Sequence, residues 1–187
     1  NAEALTRLAT WARTGVETPM YRSRDARAED IEASSKAPAQ TLRDELTSTA
    51  RDLDAALAAL GPEGWRAMVR SALDRPLPAV EVPWMRIREV WLHAVDLDAG
   101  AQLTDLPADV VDALLDDATE TLSAREGCPS AVLAPDDREQ QWTLGPPGSA
   151  LKLAGTAAAL LGWLVGRTDG EGVSAGGGAL PAPPRWL

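Results

Sequence analysis

At 187 residues the chain is long enough for one ordinary domain or two small ones. Twenty-eight acidic against 18 basic residues give a net charge of -10, and such a surface repels phosphate backbones, so no nucleic-acid partner is expected. The single cysteine, Cys128, excludes an intrachain disulfide framework and any metal-binding cysteine pair, which suits a reducing cytoplasm.

The chain opens at Asn1 already in helical periodicity: Leu5, Leu8 and Ala12 of NAEALTRLATWARTG share one face, and Gly15 stops the run. This segment is expected to be the tail of a longer helix, with an amino-terminal piece missing before it. The loop GVETPMY follows. From Pro38, PAQTLRDELTSTARDLDAALAALG places Leu42, Leu46, Ala50, Leu53, Leu57 and Leu60 at spacings of three and four, with Gly61 in the stop position. That pattern predicts an amphipathic helix. Residues 62–83 carry four prolines and read as a crossover with a short strand or hairpin around residues 65–69 and 78–82.

Residues 84–97 hold no Gly or Pro and close at Gly100, which predicts a further helix. Pro107 opens another, with Val110, Leu114, Ala118 and Leu122 on its apolar face, ending near Gly127. After Cys128 the texture changes. AVLAP, QQWTLG and ALKLAG alternate apolar and polar residues, TAAALLGWLVGR returns to a helix, and residues 168–187 are rich in Gly, Ala and Pro. The most apolar run, residues 150–166, is interrupted by Lys152 and is too short and glycine-rich to span a bilayer, so no membrane association is expected. The expected fold is α+β: a four-helix bundle with a truncated first helix over residues 1–127, then a small α/β domain over residues 128–187.

The stretch REVWLHAVDLDAG holds His93, the one histidine of the chain, with Glu89 four residues before it and Asp96 three after. On a helix Glu89 and His93 share a face one turn apart. Two ligands at that spacing are half of a zinc shell, but the same spacing also makes an ordinary helical pair. Val90, Leu92, Ala94, Val95 and Leu97 make the helix apolar over most of its circumference, so it is expected to be buried. Polar groups on a buried helix need partners, and in bundles these commonly converge on a metal. Asp96 can orient the imidazole or simply cap the closing turn.

VPWMRIREVWLHAVDLDAG resembles the helix of the mycothiol-dependent maleylpyruvate isomerase family that supplies a Glu and a His to zinc in a DinB-like four-helix bundle. NAEALTRLATWARTGVETPMY resembles the end of that family's second helix and the loop after it. LAGTAAALLGWLVGR resembles its carboxy-terminal helix. The resemblance implies Glu89 and His93 as metal ligands and Arg167 as a catalytic residue reaching the site from the small domain. It implies Zn2+ and mycothiol as cofactors, with a third ligand, a histidine, in a segment preceding Asn1. From the residues alone, an Arg at a helix carboxy terminus is also favoured by the helix dipole.

The implied activity is conversion of maleylpyruvate to fumarylpyruvate, a step in aromatic-compound degradation. A zinc-bound thiolate adds to the cis double bond, rotation follows, and elimination gives the trans product, with Arg167 steadying the enolate. The expected partners are a small dicarboxylate and mycothiol, on a monomer or weak oligomer. A mycothiol S-transferase of the same superfamily is one alternative, and a non-catalytic helix-bundle binding domain is another. Arg86 and Arg88 flank the motif as candidate carboxylate anchors, Trp84 is a candidate pocket wall, and Cys128, with no His nearby to activate it, is given no role.

Overall fold

The structure, a computed structural model, describes residues 1–148 and 150–186. The chain forms two compact units, Asn1–Val90 and Trp91–Leu187.

The first unit is mainly helical. Helix α1 (Ala2–Thr14) buries Leu5, Leu8 and Ala12 and closes at Gly15, whose N–H donates to the Trp11 carbonyl at 2.8 Å. Helix α2 (Arg24–Ser35) is capped by the Ser23 hydroxyl, which accepts from the Ala26 N–H at 3.0 Å, and buries no residue. Helix α3 (Ala39–Ala58) packs on α1. The short helix α4 (Pro62–Arg66) then leads into strands β1 (Met68–Arg70) and β2 (Pro76–Pro78). These strands pair antiparallel, with Val69 opposite Leu77. The two side chains turn inward to join Leu5, Leu8, Leu53, Leu60 and Val82 in one apolar core. Each such burial contributes roughly 1.5–3 kcal/mol. Helix α5 (Val82–Asp96) begins in this unit, and the division between the units falls within it.

Two expectations about the helices change. The apolar face predicted for α3 is buried only toward its carboxy end: Leu53 is buried, whereas Leu42 and Leu46 are exposed. The burial expected for α5 does not hold either, since Val82 and Leu92 are buried while Ile87, Val90 and Leu97 are exposed. Both helices are apolar over a wider arc than their neighbours in this chain cover.

In the second unit, helix α6 (Ala108–Ser123) packs on a three-stranded sheet and on helix α7 (Ala157–Leu164). The sheet order is β4 (Trp142–Leu144), β3 (Ala131–Pro135), β5 (Leu151–Gly155), with β3 antiparallel to β4 and parallel to β5. Leu114, Leu115, Leu122, Leu133, Leu144, Leu153 and Leu160 fill the space between sheet and helices.

The division expected near Gly127 differs from the observed one, because α6 buries its stripe of Leu114, Ala118 and Leu122 within the sheet unit. Its Asp112 accepts from the Arg138 Nε at 3.0 Å and its Asp116 from the Trp142 indole N–H at 2.7 Å. The glycine- and proline-rich tail is ordered by specific bonds: Ser174 exchanges two backbone hydrogen bonds with Ala154 at 2.8 and 2.9 Å, and the Trp163 indole N–H donates to the Pro181 carbonyl at 3.0 Å. Among the described residues no helix is long and apolar enough to cross a membrane.

Candidate active site

Helix α5 carries Glu89, His93 and Asp96 within two turns, Glu89 half-buried and the His93 side chain 60% exposed. Arg167 comes from the other end of the second unit, just past α7. Thr156 caps that helix by accepting from the Ala159 N–H at 3.2 Å, and Asp137 accepts from the Ala157 N–H at 2.8 Å. At its far end Gly166 adopts φ 70, the left-handed conformation that closes many helices, and the Arg167 N–H turns back to the Gly162 carbonyl at 2.9 Å. GWLVGR thus ends the helix and fixes the starting point of the arginine side chain.

The guanidinium is anchored on two sides. Nε donates to Asp96 Oδ1 at 3.1 Å and Nη2 to Asp96 Oδ2 at 3.0 Å, while Nη1 donates to the Val165 carbonyl at 2.9 Å. His93 Nδ1 lies 2.9 Å from the same Asp96 Oδ2, and a carboxylate oxygen there can only accept. Hydrogen bonds from Arg167 hold the Asp96 carboxyl below the usual carboxylate range, against partial desolvation and with a smaller contribution from His93. Three of the five guanidinium donors are engaged by these groups, and among the described residues these bonds leave one further N–H on each Nη.

Asp96 and Arg167 line a broad cleft of about 1220 Å3 in the second unit, with Trp163, Leu164, Gln102 and Thr104 on its walls. Arg167 therefore meets both requirements for an anion anchor, a fixed planar cation and an accessible cavity.

Glu89 and His93 stand one turn apart on α5, as the sequence predicts. Both are donor types that zinc accepts, and a carboxylate on Nδ1, as Asp96 is here, leaves Nε2 as the ring nitrogen that could take a metal. Among the described residues no group of three His, Cys, Asp or Glu side chains assembles into a metal site. By residue type Glu89 and His93 could each supply one zinc ligand, against the three protein ligands typical of catalytic zinc. Of the other candidates, Arg86 donates through Nη1 to the Asn1 side-chain oxygen at 3.3 Å, and Trp84 is half-buried. Cys128 is buried, and desolvation pushes its thiol up. The sequence places Asp96 beside the imidazole but carries no sign of its second partner: Arg167 lies 71 positions away, and no local spacing signals that pairing.

A helical amino-terminal unit followed by a small sheet unit, with Glu and His on one helix and an arginine brought to that helix's end, defines a two-part α+β protein of enzyme-like construction. The mycothiol maleylpyruvate isomerase N-terminal domain model matches residues 1–98, and the C-terminal domain model of the same family matches residues 105–185. The chain belongs to this family. It is similar to crystal structures of the mycothiol-dependent maleylpyruvate isomerase and of a histidine-to-alanine mutant of that enzyme, with TM-scores of 0.92 and 0.91. In each case identity is 35%, over 100% of this chain and 77% of the other. Comparison with curated proteins gives no match.

Proposed function

We propose that the protein is a mycothiol-dependent cis-trans isomerase that converts maleylpyruvate to fumarylpyruvate by thiol addition, bond rotation and elimination. The observation that carries this reading is the Arg167 guanidinium, fixed on the carboxylate that also holds His93, in a chain 35% identical over its whole length to such an enzyme. Glu89 and His93 would hold zinc together with a ligand from outside the described residues. Zinc bound there supplies a thiol with a depressed pKa, and so a thiolate at neutral pH.

The work of this chain's own residues follows from their geometry. Arg167 lines the cleft with one further N–H on each Nη beyond its bonds to Val165 and Asp96, with which it can take a substrate carboxylate and steady negative charge that develops on oxygen when the double bond opens. Trp163, its indole fixed on Pro181, gives the cleft an apolar wall that strengthens this interaction by displacing water. A free-thiol cofactor and a lone buried cysteine both suit the cytoplasm.

The test follows maleylpyruvate conversion with mycothiol, without it, and with glutathione in its place, and identifies the product. Fumarylpyruvate formed only with mycothiol is the expected result. Equal rates in all three reactions would defeat the assignment, and accumulation of a mycothiol conjugate would identify an S-transferase instead.

A further inference from the structure

The Asp96 carboxylate occupies an electrostatically unfavourable place. It is the last residue of α5, where the helix dipole disfavours negative charge. It is held there by two cation-capable groups from separate parts of the second unit: the Arg167 fork at 3.1 and 3.0 Å and the His93 ring, whose Nδ1 is 2.9 Å away. A carboxylate whose only task was to end the helix would need neither bond, and an arginine whose only task was to cap α7 already has the Val165 carbonyl. The side chains are also restrained unequally. The Arg167 side chain is 20% exposed and that of Asp96 34%, whereas the His93 side chain is 60% exposed.

We propose that Asp96 is a positioning residue: its carboxylate fixes the tautomer and orientation of His93 while holding the Arg167 fork, so that the metal-binding imidazole and the anion-binding guanidinium keep one relative geometry. The proposal deepens the isomerase reading and rests on it for the roles of the two partners. Its physical content is independent of catalysis. A carboxylate accepts but does not donate, so the His93 proton must sit on Nδ1, which makes Nε2 the basic nitrogen. Free histidine favours the opposite tautomer, with the proton on Nε2. Arg167 in turn keeps its plane because both carboxylate oxygens are used, a constraint that a single acceptor does not impose.

His93 is the one histidine of the chain, so a long-range 1H–15N spectrum of the protein reports this ring alone. The spectrum is recorded without added metal, at a pH where the ring is neutral. The wild-type ring is expected as the Nδ1–H tautomer, the Asp96→Ala ring as predominantly Nε2–H, and the Asp96→Glu ring as largely restored to Nδ1–H. Zinc affinity, measured by competition with a chromogenic chelator, is expected to fall about ten- to hundredfold in Asp96→Ala and to recover in part in Asp96→Glu. In the isomerase assay kcat falls at least about tenfold in Asp96→Ala, with a smaller change in KM, while circular dichroism stays that of the wild type. An Nε2–H ring in the wild type, or a tautomer and zinc affinity unmoved by Asp96→Ala, overturns the proposal. Failure of the wild type to isomerise maleylpyruvate would sink the function reading alone, because the spectrum and the zinc titration stand without turnover.

Discussion

Arg167 meets Asp96 through a two-point fork, Nε to Oδ1 at 3.1 Å and Nη2 to Oδ2 at 3.0 Å. A lysine in its place keeps the charge but offers an ammonium that cannot match both oxygens at once. Arg167→Lys is therefore expected to lose roughly a hundredfold in kcat, the scale of removing one preorganised donor from a developing charge. Zinc content should not change, because the guanidinium is not a ligand. Paired metal analysis and turnover on one preparation check this, and full activity in Arg167→Ala would remove the role given to this residue.

Removing His93 acts on the other partner of Asp96. His93→Ala leaves Glu89 as the remaining donor on α5, so metal and activity should be lost together. The side chain is 60% exposed, and substitutions at such positions typically change stability by no more than about 0.5 kcal/mol. Compared metal-free, the variant should thus unfold at nearly the wild-type urea concentration, while zinc should raise the midpoint of the wild type alone. A metal-replete and active His93→Ala protein would show that the helix does not bind zinc through its histidine.

The parts of this architecture legible in sequence are those set by local periodicity. Helices α1, α3, α5, α6 and α7 follow from apolar spacing and their glycine or proline boundaries, whereas the hairpin expected around residues 65–69 and 78–82 lies instead at Met68–Arg70 and Pro76–Pro78, because residues 79–81 form a 3-10 turn leading into α5. Helix α2 was not legible because RDARAEDIEASS has no apolar stripe and buries nothing, leaving the Ser23 cap as its one local signal. The assignment of α6 to the sheet unit was hidden for a different reason. Its stripe through Leu114 and Leu122 would suit a bundle or a sheet equally well, and the bonds from Asp112 to Arg138 and from Asp116 to Trp142 join residues 26 positions apart. In the site, the spacing of Glu89, His93 and Asp96 could be read directly, but the closure on Arg167 depends on how Gly166 turns the chain after α7.

Cys128 tests the description of the second unit without touching the site. It is 9% exposed, its Sγ lies 3.8 Å from the Pro129 carbonyl, and desolvation pushes its thiol above the ordinary cysteine value. Alkylation requires an accessible thiolate. Iodoacetamide at neutral pH should therefore leave the folded protein unmodified and label the urea-unfolded chain fully, as read by mass spectrometry. Rapid labelling of the folded protein would mean that the segment joining α6 to β3 opens readily.

A stability prediction comes from the end of β5, where Gly155 sits opposite Pro135 in the parallel ladder. Its φ is +151, a region that L side chains rarely adopt, and a Cβ placed there would lie 2.3 Å from the Gly172 carbonyl oxygen. That oxygen belongs to backbone and cannot rotate away as a side chain would. The neighbouring strand geometry also leaves little room to yield, since Ala154 is tied to Ser174 by two hydrogen bonds and Asp136 donates its N–H to the Gly155 carbonyl at 2.8 Å. Gly155→Ala must either strain the backbone, at a cost of about 1–3 kcal/mol, or push the 170–175 turn off the sheet and forfeit the Ser174 pairing as well. The expected result is a lower urea midpoint with an unchanged m-value. Faster amide exchange at Ala154 and Ser174 would accompany it, because those two N–H groups lose their protection when the turn lifts. A midpoint equal to that of the wild type would show that the close approach of Gly172 to β5 is absent in solution.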